Sequence, residues 1–142
     1  MRYLLDTCVL SDFARGHAQV LARLKSTPPQ ALAITTVTVM EIEYGLRVNA
    51  AVERKLRPVL EAFFRTVAVL PYATDAARAT AGVRAALKAR GQPMGAYDAL
   101  IAGCALARGL ILVTSNTGEF ARVEGLVLED WRASGLPSVE TD

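Results

Sequence analysis

Residues 1–12 read MRYLLDTCVLSD, and how they are read decides the fold. Tyr3, Leu4 and Leu5 form a short apolar run of the kind a buried parallel strand presents. Asp6 closes that run, and Thr7 and Cys8 lead into a segment able to begin a helix. A carboxylate just past such a run stands at the carboxyl end of a sheet, where α/β folds place their ligands. The reading therefore asks whether other acids also stand at strand ends and helix starts.

Working outward, strand one covers residues 2–6. A helix follows from Val9 to Arg15, closed by Gly16, and a second runs from His17 to Ser26 on Val20, Leu21 and Leu24. TPPQ, from Thr27 to Gln30, is a turn. Ala31 to Thr35 is strand two, and Thr35, Thr36 and Thr38 are candidate starts for a helix ending near Val48. Residues 52–65 form a helix that Pro58 should kink. Thr66 to Leu70 is strand three. Ala73 to Arg90 is a long helix, and Gly91 to Gly95 a loop. Ala96 to Arg108 is a very apolar helix ended by Gly109. Leu110 to Thr114 is strand four, a short helix spans Gly118 to Val123, and Leu126 to Asp130 is strand five. This alternation argues an α/β fold, a mostly parallel sheet with helices on both faces. One domain over residues 1–132 and a loose tail over 133–142 account for the chain.

Composition supports a packed globule. Hydrophobic residues make up 52% of the 142 and charged ones 21%, which excludes a disordered chain. At this length the core holds without disulfides or structural metal. No apolar run reaches the ~18 residues of a membrane span. Asp6 and Asp12 break the opening stretch, so it does not read as a signal peptide, and a cytoplasmic address is expected. Cys8 and Cys104 read as small buried thiols. The formal net charge is +2, but if four acids gather in one site the remaining surface is distinctly basic. A basic exterior around an acidic pocket suits a polyanionic substrate.

Asp98 is the acid most out of place. From Pro93 to Ala107, PMGAYDALIAGCALA carries no other charge. A carboxylate isolated in such a helix needs a partner, and Ala99, Ala102 and Gly103 would let the helix pack closely on a sheet. Glu41 sits in TVTVMEIEYGL. Thr38 with Glu41 matches an S/T-x-x-E capping box, but Glu43 serves as a control. Two residues apart on a helix face roughly 200° apart. Glu43 has Arg47 at i+4, an exposed ion pair, whereas Glu41 has Tyr44 and Gly45 and no basic partner. Glu43 is thus assigned to the surface and Glu41 to a site. After strand four, TSNTGEF offers Thr114, Asn116 and Glu119 as oxygen ligands or water holders, with Asn116 also a possible helix cap. Asp12, Asp75, Glu53, Glu61 and Glu124 read as surface or helix-start acids, and Glu129 and Asp130 close the last strand without evident chemistry.

Three or four converging carboxylates repel one another unless one protonates or a cation sits among them. Oxygen-only ligands select a hard ion, Mg²⁺ or Mn²⁺, which can activate water for phosphodiester hydrolysis. The inventory excludes other routes. His17 is the only histidine, on a surface helix, so a two-histidine ribonuclease and a Ser-His-Asp hydrolase are ruled out. There is no GxxxxGK[ST] or GxGxxG phosphate turn. A phosphoaspartate receiver would need an Asp where strand three ends Val69-Leu70-Pro71.

LLDTCVLSD, TVMEIEYGL, GAYDALIAGCALA and LVTSNTGEFARVEGLVLEDW, in this order from Arg2 to Trp131, resemble PIN-domain ribonucleases of the VapC toxin type. The resemblance implies a PIN-like parallel sheet of order 3-2-1-4-5, with the site where the strand order reverses. It assigns metal binding to Asp6, Glu41 and Asp98. Many relatives carry an Asp where this chain has Asn116, so the fourth acidic role passes to Glu119, with Asn116 the other candidate for that position, or the site has only three carboxylates, and one ion or two are both compatible with it. It further implies an endoribonuclease toxin cutting structured RNA such as tRNA or rRNA by metal-activated water, with an antitoxin partner and a homodimeric state. Thr114 would orient the cluster. Arg84, Lys88, Arg90 and Arg15 are candidates to steer phosphates, or else solvated surface. Two other readings stand beside this one: a PIN nuclease of RNA processing, and a non-catalytic RNA- or partner-binding module with a relic site.

Overall fold

The structure is a computed structural model that describes residues 1–133. Five strands and seven α-helices alternate along it: β1 (Tyr3–Leu5), α1 (Thr7–Ala14), α2 (Ala18–Lys25), β2 (Leu32–Thr35), α3 (Thr36–Arg47), α4 (Ala50–Phe64), β3 (Ala68–Leu70), α5 (Thr74–Ala89), α6 (Ala96–Arg108), β4 (Ile111–Val113), α7 (Thr117–Phe120) and β5 (Leu128–Glu129). The sheet is wholly parallel in the order β3-β2-β1-β4-β5. The order reverses between β1 and its neighbour β4, and the carboxyl ends of these two strands define the switch point.

The central strands are buried on both faces, which is why they read as apolar runs without alternation. Leu4, Ala33 and Leu112 face a core shared with α5 and α6, through Val83, Leu87, Ile101 and Ala105. Leu5, Ile34 and Val113 face the opposite core, closed by Val9, Val20, Ile42, Leu56, Leu60 and Trp131. Each layer of helices thus buries one face of a narrow sheet.

Several boundaries shift from the sequence reading. β3 and β5 are shorter than expected, α1 begins at Thr7 rather than Val9, and α7 ends at Phe120. α4 runs through Pro58 as one element. Gly109 adopts φ 63° and ends α6, a left-handed conformation that side chains disfavour. Gly103 packs against α5 and not, as expected, the sheet. A Cβ there would stand 2.8 Å from the Ala76 carbonyl oxygen and 2.9 Å from the Thr80 nitrogen.

The last residues of the expected domain are packed down. Trp131 is buried, meets Tyr3 edge-on at 5.3 Å and donates its indole N–H to Glu129 at 2.9 Å. Arg132 grips Asp12 with two hydrogen bonds of 2.6 and 2.7 Å. Asp12 is therefore a buried, paired acid, correcting its reading as a surface one. It follows the apolar Val9 by three residues and lies on the buried face of α1, where an ionised carboxylate needs a cation. Glu129 likewise has structural work, since it also accepts from Arg23 at 3.1 Å. The remainder of the expected tail, 134–142, lies outside the described residues.

Candidate active site

The switch point collects the acids that the sequence singled out. Asp6 follows β1 directly and caps α1, its Oδ1 accepting from the Thr7 backbone N–H at 2.8 Å. Its Oδ2 accepts from the Thr114 hydroxyl at 2.8 Å, so the residue ending β4 holds the residue ending β1. The side chain is almost fully buried, and burial raises its proton affinity against the lowering effect of these bonds.

Glu41 arrives from α3. Thr35, not Thr38, is the N-cap of that helix, with its hydroxyl accepting from the Thr38 N–H at 3.1 Å. The supposed capping box is therefore one turn out of place, which leaves Glu41 free of a capping role. Its Oε1 instead accepts from the Thr7 hydroxyl at 2.6 Å. Thr7 thus touches two carboxylates at once, through its backbone to Asp6 and through its side chain to Glu41. Glu43 points away, as its spacing required. It binds Arg47 at 2.7 Å and also Arg57 at 2.8 Å, and these guanidiniums hold its carboxyl down to about 2.

Asp98 occupies the first turn of α6, where its carboxyl faces that of Glu119 of α7. Burial, a hydrogen bond with Glu119 and the charges of Asp6, Glu119 and Glu41 push Asp98 up to about 7. Glu119 is held below its ordinary value because it accepts from the Gly95 N–H at 3.0 Å and from the Asn116 amide at 2.8 Å, with Arg122 nearby at 3.6 Å. Of the two facing carboxyls, Asp98 is therefore the one with the higher proton affinity. Asn116 does not cap α7 with its side chain; it anchors Glu119, while its own N–H donates to Thr114 at 3.0 Å.

Two participants escaped the sequence reading. Thr7 was passed over as a link residue, although it adjoins Asp6. Cys8 is only partly buried and belongs to the site rather than to an inert core. Its thiol donates to Asp6 Oδ2 at 3.5 Å and accepts from the Ser115 N–H at 3.5 Å and hydroxyl at 3.4 Å. Burial first, then the Asp6 charge, pushes that thiol up.

The basic candidates divide. Arg15 lines a narrow cleft of about 130 Å³ with Thr7, Ser11, Glu41 and Gly45, and so borders the cluster. Arg84 and Lys88 line a different cavity of about 420 Å³ with Pro93 and Met94, on the loop whose Gly95 meets Glu119. Arg90 is tied to the Arg122 carbonyl and to Gln92. These three reach the loop but not the carboxylates.

The donor set is chemically that of a hard divalent cation, since its oxygens are anionic and mutually repelling. Among the described residues, however, no three or more Asp, Glu, His or Cys side chains are already gathered as a metal site. Each carboxylate is instead satisfied locally, Asp6 on Thr7 and Thr114, Glu41 on Thr7, and Asp98 on Glu119. The chemistry fits a cation, and binding one requires Asp98 to release its proton.

A model of the PIN domain family matches residues 3–126. The chain is 41% identical over 131 residues to the tRNA(fMet)-specific endonuclease VapC of Shigella flexneri, covering 92% of this chain and 98% of that protein. It is 37% identical, over the same shares, to the protein of that description from Salmonella typhimurium. Among solved structures, DNA-bound VapBC from Salmonella typhimurium aligns with a TM-score of 0.83 at 38% identity, covering 92% of this chain and 98% of that one. VapBC2 from Rickettsia felis, bound to a promoter fragment, aligns at 0.84 and 26% identity, covering 92% and 99%.

Proposed function

This chain belongs to the PIN-domain family as an endoribonuclease of the VapC toxin type, and from that premise we propose that it hydrolyses structured RNA with Mg²⁺ or Mn²⁺ held by Asp6, Glu41 and Asp98. The observation that carries the reading is the hydrogen-bonded chain joining three acids distant in sequence: Glu41–Thr7–Asp6–Thr114–Asn116–Glu119. Asp98 joins its end through Glu119. Surface acids have no need of such wiring.

When bound, the ion supplies Lewis acidity, orienting and acidifying a water and offsetting charge on phosphoryl oxygens. The chain's own residues prepare for that. Thr7 N–H and Thr114 Oγ fix the two oxygens of Asp6, so its orientation costs no reorganisation later. Thr7 Oγ holds Glu41 toward Asp6. Asp98, whose proton affinity burial and the neighbouring carboxylates raise, would join Asp6 and Glu41 in holding the ion, and Glu119, anchored by Gly95 and Asn116, stands beside it. Arg15 at the rim is the basic side chain best placed to meet a phosphate.

Transfer RNA is the first substrate to test, because two relatives carry that specificity in their names. An antitoxin partner is supported by the VapBC complexes among the solved relatives. The reading extends to a cytoplasmic enzyme and to a homodimer, the latter checked by sedimentation; no helix among the described residues is long and apolar enough to cross a membrane. The test is cleavage of purified tRNA with Mn²⁺. EDTA should stop it, Asp6→Ala and Asp98→Asn should abolish it, and expression without a partner should arrest growth. Cleavage surviving EDTA or the Asp6 substitution would refute the assignment.

A further inference from the structure

Once the carboxylates are accounted for, a group of exposed aromatic side chains beside them is left over. Tyr44 is 66% exposed, Tyr97 50% and Met40 41%. Met40 and Tyr44 lie one turn apart on α3 and form one stripe. Tyr97 comes from the first turn of α6, immediately before Asp98. With Glu41, these side chains wall a cavity of about 490 Å³, within the range of roughly 300–1,000 Å³ usual for ligand pockets. Neither tyrosine hydroxyl makes a hydrogen bond among the described residues. Exposed apolar side chains in contiguity, unlike single ones, mark an interaction site.

We propose that Tyr44 and Tyr97 form a base-stacking subsite that receives an unpaired base of the RNA next to the phosphate being cut. The inference rests on the nuclease reading above and specifies how that site holds its substrate. Continuity is the first argument. Glu41 is at once a wall of the cavity and a member of the acidic cluster, and Asp98 directly follows Tyr97. Chemistry is the second. The cavity wall contains no cation, and its one charge repels phosphate, so attraction there must come through ring faces. Stacking on aromatic side chains is how unpaired RNA bases are held, whatever their identity.

The test uses an RNA hairpin with an unpaired loop, and the same hairpin with its loop bases removed. Binding is measured in EDTA, where the nuclease reading leaves the RNA uncut. Tyr44→Ala and Tyr97→Ala should each weaken binding of the intact hairpin by roughly 5- to 150-fold, the contribution of one stacked base. Tyr→Phe at either position should restore it. Removing the loop bases should weaken wild-type binding by a similar factor and leave the alanine variants unchanged. Both rings are exposed, so the variants should melt like wild type. Alanine variants that bind as tightly as wild type overturn the proposal. So do alanine variants that turn a dimer into a monomer while still discriminating the base-free hairpin, which would assign the face to contact between copies. Wild-type protein that cuts RNA while its tyrosine variants behave alike removes the subsite only. Wild-type protein that neither binds nor cuts RNA removes the nuclease reading with it.

Discussion

Were the proposed cation bound here, the raised proton affinity of Asp98 would make that binding pH-dependent in a range where ordinary aspartates are silent. Its carboxyl is raised from 3.8 to about 7 by burial and by the neighbouring carboxylates. A ligand must shed its proton before it can hold a cation. At pH 8 about nine in ten Asp98 side chains are ionised, and at pH 6 about one in ten. Mn²⁺ affinity should therefore fall about tenfold between those values, ~1.4 kcal/mol. Titration calorimetry in buffers of different ionisation enthalpy should register about half a proton released per ion at pH 7. Asp98→Asn should abolish most of that release. The sign for stability follows from the same shift. The folded state binds this proton more tightly than the unfolded state, so stability from Asp98 is present below pH 3.8 and lost as pH rises through about 7. At pH 8 without metal, Asp98→Asn should thus melt higher than wild type, because an amide can keep donating to Glu119 without adding charge. Metal binding without proton release at pH 7, or an Asp98→Asn protein that melts lower at pH 8, would refute the reasoning.

Three further outcomes follow from the geometry. Glu41→Gln should cut cleavage of tRNA at least tenfold, roughly the weight of one charged ligand, whereas Glu43→Gln should leave it nearly intact; equal losses would defeat the facing argument. Gly103→Ala should cost about 1–3 kcal/mol in urea unfolding, because the new methyl group meets backbone atoms of α5 at Ala76 and Thr80; an unchanged midpoint would mean that α5 can retreat. Arg132→Ala should lower the urea midpoint by leaving Asp12 buried without its partner, with Asp12→Asn in that background recovering part of the loss.

What the sequence made legible was chemistry out of place; what it concealed was chemistry fixed by tertiary register. Asp98 could be found because one charge in an apolar helix needs a reason, and Glu41 because angle and partner separate it from Glu43. The parallel sheet was legible for a related cause, since strands buried on both faces leave apolar runs between helical periods. Thr7 could not be found this way. A threonine after an N-cap is unremarkable until α3 is known to pass beside it, and the contact with Glu41 spans 34 positions. Cys8 was concealed by the same logic, because a small thiol near a strand end satisfies a core as readily as a site. Asp12 is the instructive failure. The argument that exposed Asp98 applies to it unchanged, since it follows Val9 by three on a helix whose other inward residues are apolar. Its partner, Arg132, lies 120 positions away, at the last residue of the expected domain. A charge on an apolar face thus announces that a partner exists without saying whether that partner is a cation from the chain or one from solution. Arg132 answers for Asp12. Among the described residues no side-chain cation answers for Asp6 or Glu41, and Asp98 meets Glu119, so it is there that the proposed ion would supply the missing charge.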